Sequence, residues 1–424
     1  MKKITLNHIT KIEGHAKLNL EIEKGKVKTC ELSIFEGSRF FEGILKTQDY
    51  SELPDITSRI CGICSIFHTI ASIRTVESAF NIKVSEQTDL LRELLLIGGM
   101  IQSHILHLYF LVLPDYHGCK NALELAAKDK SLIRRALEIK KVSNLIVNTI
   151  GAREIHPISA IIGGFTRLPK EKELKKILKE LKKCKREAEQ TVKIFQNLKY
   201  PEFDFKSDTF ALTDGSYFCS DKIISCEGKA CVPTNDYEKH FKEYFKEGST
   251  AEFAKTDDGS YRVGALARLM LNKHLLSEKS KSFVTQIKSK DNPFMNNVAQ
   301  AIEIYEGFEQ AINILENLKI KEEELPEVKI KATTGVSALE APRGILFHKY
   351  KFDKKGKCTF ANITTPTTQN LQNIEDAIRV YVPELLKQDM NEEQIKLEIE
   401  KLIRAYDPCI SCSTHFLEFN FKKD

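Results

Sequence analysis

Two cysteine pairs of identical spacing stand near opposite ends of this 424-residue chain. The first lies in Arg59-Ile60-Cys61-Gly62-Ile63-Cys64, with His68 four residues on. The second lies in Asp407-Pro408-Cys409-Ile410-Ser411-Cys412, with His415 three residues on. A CxxC pair puts two thiolates within reach of one metal, and four thiolates suit a soft or borderline metal such as zinc, iron or nickel. If the pairs share one site, the two ends must fold together over everything between them. Pro408 stiffens the backbone beside one pair, and Gly62 lets the chain approach a cluster closely at the other. On the residues alone, a structural four-cysteine zinc site and a dithiol redox pair both stay open. A zinc site usually has its pairs closer in sequence, and a dithiol needs only one pair.

Composition narrows the setting. Hydrophobic residues make 42% and charged residues 29%, which excludes bulk disorder and collagen-like repeats. The excess of 64 Lys and Arg over 59 Asp and Glu leaves +5, too little to argue for nucleic acid without a clustered patch. The start, MKKITLNHITKIEGH, has no long apolar run of a secretory signal, and 11 cysteines is an odd number for a disulfide framework. The pairs therefore read as metal or redox chemistry in a cytoplasmic setting. Residues 94–113 carry no Asp, Glu, Lys or Arg and are long enough to span a bilayer. Gly98, Gly99, Gln102, Ser103, His104 and His107 within them, and Arg92 and Glu93 before them, favour a helix buried in a large core, not a membrane span.

Periodicity predicts a hairpin over 16–35 around Lys24-Gly25, then long helices over 57–80 and 87–113, the second ending at Pro114. Further helices are expected over 121–147 and 170–198. Residues 199–260 read as an irregular, partly β segment. Helices return at 262–273, 280–291 and 296–318, a β-rich stretch covers 328–363, and 369–386 and 391–405 read as helices. The fold class is α+β, predominantly α: a long-helix core with small β portions near the N-terminus, in the middle and near the C-terminus. The expected organisation is one composite domain over 1–424. Its parts are a β-containing segment 1–53, helical core 54–198, β-rich insertion 199–260, helical core 261–326, and 327–415 with the second cysteine motif. A tail, 416–424, follows.

RICGIC and DPCISCSTH resemble the two signature motifs of the large, catalytic subunit of nickel–iron hydrogenases. KIEGH (11–15), SRFFEGIL (38–45), HILHLYFLVLPD (104–115), GAREIHP (151–157), YRVGALAR (261–268), EAPRG (340–344) and TTPTTQN (364–370) are similar to further segments of that family, in family order. His415 as the closing residue and the RICGIC variant resemble the cytoplasmic, multimeric, cofactor-coupled branch. The related quinone-site subunit of respiratory complex I shares the fold but lacks the cysteine pairs. A zinc-stapled structural protein would share the thiolates but has no use for the residues that follow.

The resemblance implies that Cys61, Cys64, Cys409 and Cys412 bind nickel, with Cys64 and Cys412 bridging to an iron that carries cyanide and carbon monoxide. Glu13 would transfer protons near Cys409, a task a carboxyl group suits. Arg343 would stand over the metals, oriented by Asp115 and Asp407, with Pro342 lining the cavity. Thr367 would hydrogen-bond a cyanide and His68 a bridging sulfur. Glu42, the carbonyl of Ile363 and His415 would hold magnesium, or iron, near the C-terminus. The resemblance further implies an iron–sulfur small subunit, further electron-transfer subunits, and a maturation endopeptidase that removes Phe416 to Asp424. The remaining cysteines, Cys30, Cys119, Cys184, Cys219, Cys226, Cys231 and Cys358, read as ordinary thiols, and His104 and His107 as core residues beside the site.

Overall fold

A computed structural model describes residues 2–213, 215–219, 222–226 and 231–414. The centre is a bundle of long helices, Ser65–Phe80, Glu86–Leu106, Lys130–Gly151, Glu171–Gln196 and Asn296–Asn317. Their starts follow from local chemistry. The Ser85 hydroxyl accepts the Thr88 amide and the Asp129 carboxylate accepts the Ser131 amide, which satisfies donors a helix leaves open at its first turn. The apolar run 94–113 is the middle of this bundle. Among the described residues, Glu86–Tyr116 is the one helix long and apolar enough to cross a membrane, and 78% of its apolar window is buried inside the protein. An amphipathic helix such as Glu171–Gln196 instead keeps its Lys and Glu outside and buries Leu174, Ile177, Leu181, Val192 and Phe195.

Several boundaries differ from the sequence reading: the helix expected over 280–291 stops at Val284, and that over 262–273 covers only Ala265–Leu271 because Tyr261–Arg262 is a strand. The helix expected over 57–80 is broken: Leu53–Ser58 ends, Arg59 to Cys64 leave the helix, and Ser65–Phe80 begins with Cys64 as its cap residue. The apolar spacing continues through the break, so periodicity could not see it. The helix over 121–147 is split at Asp129, whose side chain caps the second piece. Pro114 does not end its helix. Residues His107–Val112 widen into a π-helix and Leu113–Tyr116 follows. A wider turn relieves the clash between a proline ring and the carbonyl of the preceding turn.

Small sheets flank the bundle. Lys2–Leu6, Ala16–Glu23 and Lys26–Ile34 form an antiparallel sheet in chain order, with the expected hairpin turn at Lys24-Gly25. Alternate residues Ala16, Leu18, Leu20 and Ile22 are buried. This sheet packs on the Pro366–Leu385 helix, where the Glu375 carboxylate accepts the Leu32 amide (2.9 Å) and Arg379 donates to the Cys30 carbonyl (2.9 Å). A second antiparallel sheet comprises Thr333–Ala341, Gly344–Phe352 and Cys358–Thr364. Its first hairpin pairs Ala341 with Gly344, so Pro342 and Arg343 form a two-residue loop. The middle segment supplies Asp208–Leu212, Ile223–Cys226 and Val232–Pro233, joined in parallel by Tyr261–Arg262. Its aromatic residues Phe210, Tyr237, Phe241 and Tyr261 form a separate apolar cluster with Ile345 and Phe347 of that hairpin. Tyr237 stacks on Phe347 at 4.3 Å.

Candidate metal centre

Both ends of the chain converge on one point. Glu13 and Cys409 form a parallel bridge, with the Ile410 amide donating to the Glu13 carbonyl at 3.0 Å. Gly14 allows this approach: it has φ +84°, and a Cβ there would sit 2.6 Å from the Ile410 Cβ. Farther along, the Arg39 amide donates to the Thr414 carbonyl at 3.0 Å, and the Arg39 guanidinium to the Ser411 carbonyl. Asp407 turns the chain out of the Glu392–Ala405 helix with φ 52°, a conformation Asp tolerates better than most residues.

The convergence brings together Cys61, Cys64, Cys409 and Cys412, all buried, with every sulfur within 4.8 Å of the others. Two thiolates on one metal, each bonded at about 2.3 Å, stand at most about 4.6 Å apart. The Cys61 and Cys409 sulfurs, 3.4 Å apart, and those of Cys409 and Cys412, 2.7 Å apart, lie inside that limit. All four are free thiols. Four thiolates could not coexist in this volume without a cation, because each negative sulfur disfavours the next. The electrostatics show that tension. Hydrogen bonding from Cys409 holds the Cys61 thiol well below its ordinary range, while burial pushes Cys409 well above it. The donor set therefore fits a soft metal or a pair of metals.

Arg343, 5% exposed, reaches over this cluster from the hairpin loop. Its Nη1 donates to the Cys64 sulfur at 3.2 Å, its Nη2 to Asp407 Oδ1 at 2.9 Å, and its Nε to the Asp407 carbonyl at 2.5 Å. Burial opposes its charge, but Asp407 and the sulfurs of Cys64, Cys409 and Cys61 outweigh that, so the guanidinium stays charged. Pro342, in the same loop, is buried. The Thr367 hydroxyl oxygen accepts the Cys409 amide at 3.0 Å. The half-buried Glu13 presents Oε2 to the Cys409 sulfur at 3.2 Å; that oxygen also accepts the Ser411 amide at 2.9 Å, and Oε1 accepts the Ser411 hydroxyl.

Other expected residues fall as follows. Asp115 does not orient Arg343: its carboxylate pairs with Arg404 Nε at 2.6 Å and with Lys11. Lys11 comes from the N-terminal segment and Arg404 from the last helix, so two cations far apart in sequence claim it first. Asp407 alone of the two acids holds Arg343, and Gln300 donates to its second oxygen at 3.1 Å. His68 lies in the first turn after Cys64, and its Nδ1 stands 3.2 Å from His348 Nε2. His107 bridges Gln300 and the Arg404 carbonyl, and His104 faces Glu303 at 2.7 Å; both are core residues. Glu42 and Ile363 do meet, the Ile363 amide donating to Glu42 Oε1 at 2.7 Å. His415 and the tail 416–424 lie outside the described residues. Sequence reasoning missed Ser411 and Gln300. Ser411 sits between the two cysteines of its motif, which was the available signal; Gln300 had none.

Comparison with known proteins agrees with this geometry. The family described as nickel-dependent hydrogenase matches residues 39–135 and 234–415. The chain is 37% identical to the alpha subunit of sulfhydrogenase 1 of Pyrococcus furiosus over 97% of both chains. It is 27% identical to the beta subunit of the NAD-reducing hydrogenase HoxS of Cupriavidus necator, over 98% of this chain and 95% of the other. Its fold is like that of an NAD+-reducing NiFe-hydrogenase in the H2-reduced state, with a TM-score of 0.89, 24% identity and coverage of 98% and 100%. It is also similar to the Ni-Fe-Se hydrogenase of D. vulgaris Hildenborough, with a TM-score of 0.82, 25% identity and coverage of 98% and 100%. The α+β architecture and the four-sulfur site thus have one explanation: the chain belongs to the nickel-dependent hydrogenase family, as its large, catalytic component.

Proposed function

We propose that this chain oxidises dihydrogen reversibly to two protons and two electrons, at a nickel–iron centre held by Cys61, Cys64, Cys409 and Cys412. The observation that carries this reading is the convergence of four buried sulfurs from both ends of the chain, with Arg343 over Cys64 and Glu13 against Cys409. The metal pair supplies polarisation of dihydrogen and storage of the electrons. Cys61, Cys64, Cys409 and Cys412 would together hold the two metals, and the iron of such a centre would carry cyanide and carbon monoxide.

The residues around the sulfurs have distinct tasks. Cys409 is the proton acceptor, because its sulfur lies 3.2 Å from Glu13 Oε2, within reach of one transfer. Ser411 holds the receiving carboxylate from its amide and hydroxyl. Glu13 is half-buried, so the proton continues outward from there. Arg343 offsets the negative charge of the thiolates and donates to a cyanide. Thr367 donates to another: its oxygen is already an acceptor for the Cys409 amide, which leaves its single proton for the site. Pro342 lines the cavity beside Arg343, and His68, in the first turn after Cys64, would hydrogen-bond a sulfur that both metals share. Glu42, the Ile363 carbonyl and His415 hold a magnesium ion, an oxygen-rich set suited to a hard cation; the proximity of Glu42 to Ile363 supports this.

Electrons leave through a partner. Among the described residues, the four cysteines are the one group of His, Cys, Asp and Glu close enough to hold a metal, so no relay of iron–sulfur ligands leads away from it. The relatives are themselves named as subunits. These observations support an iron–sulfur small subunit as the electron acceptor; we further propose a cytoplasmic complex and an endopeptidase that trims the chain after His415. Isotope exchange tests the reaction. The anaerobically purified complex, given D2 in ordinary water without an electron acceptor, should form HD. Nickel-loaded protein that forms no HD would overturn the reading.

A further inference from the structure

We infer that Arg268 is a positioning residue for Arg343: it fixes the two-residue hairpin loop from behind and thereby sets where the Arg343 guanidinium stands over the sulfurs. This rests on the role given to Arg343 above. Arg268 lies in Ala265–Leu271, fully buried. Its Nη1 donates to the Ala341 carbonyl at 2.8 Å and its Nη2 to the Pro342 carbonyl at 3.2 Å. Those are the two carbonyls immediately before Arg343. The remaining donors are locked by two carboxylates. Nε and Nη2 meet Glu303 at 2.7 and 2.9 Å, and Nη1 meets Glu340 at 2.5 Å.

Each carboxylate is itself anchored. Glu303 accepts the Tyr217 hydroxyl at 2.7 Å and faces His104, and Glu340 accepts the Leu212 amide at 2.8 Å. The loop is thus tied to the Asn296–Asn317 helix, the Glu86–Leu106 helix and the middle sheet at once. The backbone before Arg268 is fitted to the same loop. A Cβ on Gly264 would come 3.2 Å from the Arg343 carbonyl, and one on Gly344 would come 2.7 Å from the Val263 Cβ.

A purely structural explanation is weak. A buried arginine between two carboxylates is no better for stability than well-packed apolar residues. What apolar packing cannot do is hold two specific carbonyls by a planar fork of donors. Lysine cannot do it either, having one nitrogen where Arg268 uses three.

The test compares two conservative variants of the metal-loaded complex, Arg268→Lys and Arg92→Lys. Arg92 is an equally buried arginine, paired with Glu77 at 2.7 and 2.8 Å, and it touches neither the loop nor the cysteines. The readout is the infrared stretch of the cyanide ligands, with Arg343→Lys showing the direction in which the bands move when that arginine is displaced. Arg268→Lys should move the same band in the same direction and lower dihydrogen oxidation about 10- to 100-fold, the scale of a misplacement near 1 Å. Arg92→Lys should leave the bands where they are. Bands unmoved in Arg268→Lys, or moved equally in Arg92→Lys, would overturn the inference alone. No cyanide bands in the loaded wild type would overturn the proposed centre, and the inference with it. If Arg268→Lys does not load metal, Glu340→Gln, which weakens the grip on Nη1 and keeps its shape, decides by the same criterion.

Discussion

Replacing Thr367 by Val separates two jobs that one hydroxyl performs. Valine keeps the shape, so no cavity opens at this 2% exposed position. The change removes the acceptor of the Cys409 amide, now 3.0 Å from the threonine oxygen, and leaves a buried N–H unsatisfied. An orphaned buried donor costs about 1–3 kcal/mol. The same change removes the proton that the hydroxyl offers to the site. Thr367→Ser keeps both, losing only a methyl group, which costs on the order of 1 kcal/mol. The assay is thermal unfolding of the loaded complex beside the infrared spectrum of the iron ligands. Thr367→Val should unfold earlier than Thr367→Ser and should move a cyanide band that Thr367→Ser leaves in place. Unfolding of Thr367→Val no earlier than the wild type would refute the acceptor role. An unmoved band in Thr367→Val would refute the donor role.

Further outcomes follow from the same geometry. Glu13→Gln keeps the shape of the contact to Cys409 and Ser411 but cannot carry a proton, so dihydrogen oxidation should fall by about 10²- to 10⁴-fold with nickel content unchanged. Gly14→Ala places a Cβ 2.6 Å from the Ile410 Cβ at φ +84°, and should destabilise by about 1–3 kcal/mol and lower nickel retention, measured after gel filtration. Asp407→Asn and Asp115→Asn should differ. The first loosens Arg343 and should move a cyanide band; the second breaks a buried pairing with Arg404 and Lys11, costs about 3–5 kcal/mol in unfolding stability, and should leave the bands in place.

What the sequence revealed and what it hid have physical reasons. The four cysteines were legible because thiolates at fixed spacing have few uses, and the resemblance of the flanking segments tied the two ends together. The hairpin at Lys24-Gly25 and the β-rich stretch carrying Arg343 were legible because alternation and turn residues are local signals. The break at Arg59 to Cys64 was not, because the apolar spacing of a helix runs on through it while the backbone does not. The π-helix before Pro114 was hidden for a similar reason: proline normally marks an end, and only the widened turn shows that the helix continues. Asp115 shows the limit at the site. Its match to a family position gave a role, but its partner is set by Lys11 and Arg404, which only the folded chain brings beside it. Arg268 and Glu340 lay in segments with a family resemblance, yet no spacing rule joins either to Glu303.

Metal content of the complex, purified anaerobically from its native source, bears most directly on the four-sulfur centre. Elemental mass spectrometry should find about one nickel per chain, as one nickel–iron centre requires, with iron in excess because the iron–sulfur small subunit adds to the single iron of that centre. Zinc in place of nickel, in material competent for maturation, would contradict the nickel–iron centre and the catalytic roles built on it.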